Sequence, residues 1–192
     1  MGAANPQKAV SAPLMAACAT GDIPTLSALL SAQQVSQQDK TCGADPGRSF
    51  GSTRYFYTLL PLEFAAYSSS ESNVRLLLKH GAILRGTGAL QLAAGYGKPN
   101  MVRVLVEAGA DVNGMVEATT PLNARFSPTE QTALHYAAER GYKRVVQYLL
   151  DNGTDSSKLD TKGNTAMERA RAMGHDGIVS LINSHEIGCL GT

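Results

Sequence analysis

Apolar residues recur at helical spacing in five stretches of this chain, and the clearest runs from residue 132 to residue 153. Its first segment carries the small residues Ala137 and Ala138 and ends at Gly141. Its second segment places four apolar residues on one helical face, namely Val145, Val146, Leu149 and Leu150. The pattern predicts two short antiparallel helices. Because such a pair cannot bury its apolar face alone, it must stack on similar pairs.

The other four stretches keep the same phase when all five are aligned on the small residue at position 138. The aligned residues are Cys18, Ala66, Ala94, Ala138 and Arg171. A Gly, or Ser69, follows three residues after each, and apolar residues follow eight and eleven residues after each. The residues predicted to be buried on this basis include Leu29, Leu77, Leu105, Val146 and Leu149.

The stretch that starts with Thr132-x-Leu134-His135 resembles one complete repeat of the ankyrin-repeat family, and residues 87–110 resemble another. The resemblance covers residues 11–185. It implies an all-α ankyrin-repeat solenoid of about five helix-pair repeats, with two long inter-repeat loops. The repeats lie near residues 11–32, 59–82, 87–110, 131–154 and 164–185, with tails at residues 1–10 and 186–192. The third repeat also looks like arrays common in filamentous fungi.

The connections between the predicted helix pairs are irregular. The two long loops are residues 33–58 and 113–130, whereas the connection Gly81–Gly88 is shorter than usual. Loops this long inside a compact array are either functional or disordered. The short connection leaves a gap between them, over which both loops could fold to form a pocket.

The resemblance implies a concave binding surface, made by the hairpin tips between repeats and by the exposed end of each first helix. Aromatic residues and Arg concentrate in its middle, and these are common interface anchors. The alternative for Phe56 is that it covers the core of the second repeat. Together with two residues of the second long loop, the partner-binding candidates are Phe56, Tyr57, Tyr67, Arg85, Tyr96, Arg125, Phe126, Gln131, Glu139 and Arg140.

Residues that tempt a catalytic interpretation have simpler structural ones. In the family that this chain resembles, the His at the place of His135 hydrogen-bonds its own turn and neighbouring loops. Cys18 stands at a small core position, where a buried free thiol is expected. No nucleophile–base motif, metal-ligand spacing or nucleotide fingerprint is present in the sequence. We therefore assign no catalytic residue, no metal ligand and no cofactor.

Composition narrows the possible partners. The formal net charge is +1, and no long basic run is present, which argues against non-specific nucleic-acid binding. No stretch approaches the length of a membrane span, and the first residues lack the apolar core of a signal peptide. We expect an intracellular protein, cytoplasmic or nuclear, that is a monomer rather than an oligomer. In the fifth repeat, Met167-Glu168-Arg169-Ala170-Arg171 puts charge where a middle repeat is apolar, which suits a terminal repeat with one face in water.

Two classes of function remain open at this point. The first is a non-catalytic scaffold that recognises another protein through the concave surface. The second is a small-molecule binder or an unconventional enzyme, with a pocket formed by residues 33–58 and 113–130 over the short third hairpin. A closed apolar pocket between those loops would favour the second class.

Overall fold

The computed structural model of this 192-residue protein describes residues 16–18, 20–31, 61–68, 70–82, 84, 87–115 and 130–190. The chain divides into two compact units, Met1–Ala89 and Leu90–Thr192. Helices joined by turns, without any β-strand, make up the described residues. The all-α class predicted from the sequence is therefore confirmed.

In the first unit, the described helices are α1 (Ile23–Ser31), α2 (Pro61–Ser68) and α3 (Glu71–Lys79). A short helical stretch that includes residues 16–18 precedes α1. Helix α3 packs against both α1 and α2. The buried amide of Asn73 donates to the carbonyl oxygens of Ala17 and Cys18 at 3.3 and 3.4 Å. These hydrogen bonds tie the second helix pair to the first.

The second unit contains three helix pairs in its described residues. They are α4 (Ala89–Gly95) with α5 (Pro99–Glu107), α6 (Ala133–Glu139) with α7 (Lys143–Asp151), and α8 (Ala166–Ala172) with α9 (Asp176–Leu190). First helices pack on first helices, as α6 does on α8, and second helices pack on second helices, as α7 does on α5 and α9. This is the stacking that the sequence pattern requires.

In four of the five pairs, the inner turn has a positive-φ glycine at the predicted position, namely Gly21, Gly97, Gly141 and Gly174. Gly97 and Gly141 have φ angles of 64° and 80°, which residues with a Cβ rarely adopt. The space above these glycines is also filled by the next repeat. A Cβ added at Gly97 would lie 2.5 Å from the Tyr142 ring, and one at Gly141 would lie 2.9 Å from the His175 ring. Each ring therefore packs on the turn of the preceding repeat.

The buried face of the fourth repeat's second helix has four positions, which lie 7, 8, 11 and 12 residues after the aligned small residue. Helix α7 buries all four. Helix α1 buries only Leu26 and Leu30, at the 8 and 12 positions, and α9 buries Ile178 and Ile182, at the 7 and 11 positions. The two helices bury different positions because α1 packs against the second helix of the following repeat, whereas α9 packs against the second helix of the preceding repeat.

This division corrects one predicted core residue. Leu29 is half-buried, and its neighbour Leu30 is buried in its place. The other predicted core residues are buried as expected, namely Leu77, Leu105, Val146 and Leu149.

The fifth repeat also departs from the prediction. Arg169 does not face water, because its side chain is only 12% exposed and its guanidinium pairs with Asp160 and lies 3.8 Å from Glu139 of the preceding repeat. Arg171 is exposed, as expected. Helix α9 continues to Leu190, past the predicted end of the repeats at residue 185.

Candidate functional site

In each helix pair of the second unit, a positive-φ glycine lies in the turn between the two helices. The residue immediately before this glycine occupies the same place in successive repeats. These residues are Tyr96, Arg140 and Met173, which precede Gly97, Gly141 and Gly174. Because equivalent positions of stacked repeats line up, they form a row along one edge of the unit. We call this row the turn row.

The turn row combines three side chains of the kinds enriched at protein interfaces. Tyr96 is half-buried, and the Lys98 ammonium lies 5.7 Å from the centre of its ring, within the range of a cation–π interaction. Arg140 is exposed. Met173 leaves 53% of its surface in solvent, although it is apolar. The row therefore offers an aromatic, a cationic and an apolar contact in sequence.

Glu139 lies one residue from the turn row and belongs to a polar network rather than to open surface. The Glu139 carboxylate lies 3.8 Å from the Arg169 guanidinium and accepts a hydrogen bond from the Gln131 amide at 3.4 Å. Gln131 is fully buried, so its predicted exposure at a hairpin tip is wrong. From this buried position its amide nitrogen donates to Glu139.

Asp160 anchors the same network, and no sequence motif singled it out. Arg169 pairs with one oxygen of its carboxylate, and the other oxygen accepts from the backbone N–H groups of Lys162 and Asn164 at 2.8 and 3.0 Å. Burial alone would raise the pKa of Asp160, but these hydrogen bonds and the Arg169 charge outweigh it and lower the pKa below 3.8. The sequence pattern that could have indicated this contact is an Asp at a hairpin tip followed by an Arg nine residues later.

His135 has the structural surroundings that the resemblance implied. The ring Nδ1 lies 2.8 Å from the Thr132 hydroxyl, and Nε2 lies 3.1 Å from the carbonyl oxygen of Asn164 in the next repeat. The second contact fits an Nε2–H that donates to the carbonyl. Burial lowers the pKa of His135 from its ordinary value of 6.5, partly opposed by the hydrogen bond to Asn164 and by the charge of Asp160. The ring is therefore neutral at pH 7 and serves to connect repeats.

Polar residues at the equivalent place in other repeats make the same kind of connection. The buried Glu63 carboxylate accepts from the Gly88 N–H at 2.6 Å, and the buried Gln91 amide donates to the Gly114 carbonyl at 2.9 Å. With His135, each bonds the loop that leads to the next repeat. We call this series the polar ladder.

The remaining candidates have mixed placements. Tyr67 is half-buried at the end of α2 in the first unit. Five predicted residues lie outside the described part of the chain, namely Phe56, Tyr57, Arg85, Arg125 and Phe126. Most of the residues that would form the pocket between residues 33–58 and 113–130 also lie outside the described part of the chain.

Cys18 is fully buried, and burial raises the pKa of its thiol to about 12. A thiol with such a pKa stays protonated at neutral pH and is a poor nucleophile. Among the residues that the structure describes, no cluster of three or more His, Cys, Asp or Glu side chains could hold a metal ion. Over the same residues, no helix combines the length and apolar character needed to cross a bilayer.

Comparison with known proteins agrees with the repeat architecture. The sequence model described as "Ankyrin repeats (3 copies)" matches residues 14–116 and 113–189. Mouse ankyrin repeat domain-containing protein 40 is 37% identical over 79 residues, which cover 41% of this chain and 19% of that protein. Mouse ankyrin repeat and SOCS box protein 16 is 31% identical over 139 residues, which cover 58% and 31% of the two chains.

A third relative is the ankyrin repeat and KH domain-containing protein CBG24701 of Caenorhabditis briggsae. It is 32% identical over 127 residues, which cover 64% of this chain and 4% of that protein. The chain thus spans less than a third of the length of each of these relatives. None of the three is fungal, and the likeness to fungal arrays stays a prediction. Since the family's sequence model matches most of the residues, this chain belongs to the ankyrin-repeat family.

Proposed function

We propose that the chain is a non-catalytic scaffold that recognises another protein through the concave surface of its repeats. Ankyrin repeats are in general protein–protein interaction modules, and the partner is set by the side chains that each array presents. The observation that carries the proposal is the turn row of Tyr96, Arg140 and Met173.

The exposure of Met173 is the strongest part of this argument. An exposed thioether side chain contributes little to folding, and Met is enriched at interfaces because it adapts to irregular partner surfaces. Arg140 adds a planar cation that can pair with a carboxylate. Tyr96 supplies a large ring that loses little conformational entropy on binding. A contact of this composition suits a partially apolar protein segment.

The proposal is tested by capturing partners from a lysate of the source organism with the full chain. Tyr96→Ala and Arg140→Ala should each remove a common set of captured proteins, with losses of about 1–4 kcal/mol in binding once a partner is titrated. Tyr148→Ala is the matched control, because Tyr148 is also half-buried but lies on the second helix α7. Thermal melts of all three variants show whether folding is intact.

A captured set that depends on Tyr148 and is indifferent to Tyr96 and Arg140 would place the partner on the second helices. That result would refute the proposed surface. Turnover of a substrate by the purified chain would refute the non-catalytic assignment.

A further inference from the structure

A surface depression of about 330 Å³ lies in the second unit, where the turn of α4 and α5 meets the turn of α6 and α7. Its lining is more apolar than polar and includes Pro99, Tyr142 and Val145. Lys143 and Arg144 line it as well, and both are exposed. The depression therefore joins a mainly apolar floor to two positive charges.

The two cations stand where the fold itself disfavours them. Lys143 and Arg144 are the first two residues of α7, and the first turn of that helix contains no acidic residue. The N-terminal end of a helix carries a partial positive charge, which favours anions and disfavours cations. At the same place, α3 begins with Glu71 and α9 begins with Asp176. The fourth repeat thus places positive charge at the helix start, where α3 and α9 place the favourable negative charge.

No ion pair among the described residues compensates for this reversal. Within the described residues, neither Lys143 nor Arg144 makes an ion pair or a side-chain hydrogen bond. A local arrangement that opposes folding stability marks a site used for something other than folding. An anion bound at the depression would neutralise both side chains and match the helix end.

We propose that this depression binds an acidic segment of a protein partner. Carboxylates of the segment pair with Lys143 and Arg144, the latter through two parallel hydrogen bonds, and an adjoining apolar side chain packs against Pro99 and Tyr142. The site lies beside the turn row but does not depend on it, so it extends the proposed function to a second surface with its own ligand chemistry.

A peptide fits this site better than a nucleic acid does. Nucleic-acid binding rests on neutralising many phosphates, whereas the depression presents two cations on a chain of formal net charge +1. Its apolar floor matches an aliphatic side chain flanked by carboxylates. The geometry therefore favours short acidic motifs over a long polyanion.

The test uses the full chain and a fluorescein-labelled peptide, Glu-Glu-Leu-Glu-Glu, followed by anisotropy at low ionic strength. The Lys143→Gln/Arg144→Gln double variant should bind the peptide at least about fivefold more weakly than the wild type. Its matched control is Lys162→Gln/Arg171→Gln, which removes the same charge from exposed positions elsewhere in the unit and should bind normally. The peptide Gln-Gln-Leu-Gln-Gln should not bind.

A stability measurement tests the electrostatic reasoning separately. Lys143→Glu should raise the melting temperature, since it restores the favourable sign at the start of α7, and should abolish peptide binding. A melting temperature that falls would overturn the reasoning about the helix end.

Three binding results would overturn the proposal itself. They are no peptide binding by the wild type, an equal loss in the control double variant, and tighter binding of a labelled oligothymidylate than of the peptide. Because the assay needs no cellular partner, its failure is distinguishable from failure of the turn row to capture one.

Discussion

The contact between the Tyr142 ring and Gly97 is open to a direct test by adding one methyl group. Gly97→Ala places a Cβ 2.5 Å from two carbons of that ring and 2.9 Å from a third, at a residue with φ of 64°. Gly153→Ala adds the same methyl group at φ of 78°, but no atom lies within 4 Å of the new Cβ. The two substitutions therefore share backbone strain and differ in the ring contact.

The expected losses in the free energy of unfolding follow from the backbone strain and the ring contact. A residue with a Cβ in the left-handed region loses about 1–2 kcal/mol, which is the whole effect expected at Gly153. Displacing a packed aromatic ring adds about 1–3 kcal/mol, as other overpacked sites do. Gly97→Ala should therefore lower the free energy of unfolding by about 2–5 kcal/mol, and Gly153→Ala by about 1–2 kcal/mol.

Urea unfolding followed by circular dichroism at 222 nm measures both values. Tyr142→Ala should then rescue most of the excess loss in the Gly97→Ala background, because the clash disappears with the ring. Equal losses in the two glycine variants, or a double variant whose losses simply add, would refute the idea that the ring holds this turn.

Three further predictions concern stability. Leu105→Ala should cost about 2–5 kcal/mol in urea unfolding, because Leu105 is fully buried and the change opens a cavity; a loss below 1 kcal/mol would contradict its core role. Arg169→Ala should cost about 3–5 kcal/mol by the same assay, since it leaves the buried Asp160 carboxylate without its cation. Burial lowers the pKa of His135 below 6.5, so the unfolded chain binds the proton more readily, and the stabilising contribution present above pH 6.5 is lost as the pH falls through and below that value. Unfolding measured from pH 7.5 to 5 should accordingly show a shallower decline for His135→Gln than for the wild type, with binding to any captured partner retained; identical slopes would contradict this account.

The repeat phase could be predicted from the sequence because it depends on local chemistry. Glycines such as Gly141 are needed for positive φ, and residues such as Leu149 must face the core at helical spacing. The prediction for Leu29 was wrong because the buried face of a helix depends on which helices pack against it. The spacing of apolar residues within one repeat does not contain that information. Leu30 is buried instead because α1 packs against a following second helix.

The polar contacts were harder to predict, because each joins a residue of a loop or turn to a residue of a neighbouring helix. Gln131 was expected at the surface from its place in a hairpin, but it is buried and its amide donates to Glu139. Arg169 was expected to face water, but Asp160 lies nine residues before it with a buried carboxylate. In both cases the partner lies on another element, and only the tertiary fold brings the two together.

The connections between repeats have a consequence for how such arrays gain and lose units during evolution. His135 and Glu139 of the fourth repeat bond to Asn164 and His175 of the fifth, and His175 also covers the turn at Gly141. The fourth repeat is thus completed by side chains and backbone that the fifth repeat encodes. A duplication or deletion that ends between two helix pairs separates these partners. We expect a change in repeat number to keep the fold intact when the incoming neighbour supplies an equivalent carbonyl and ring.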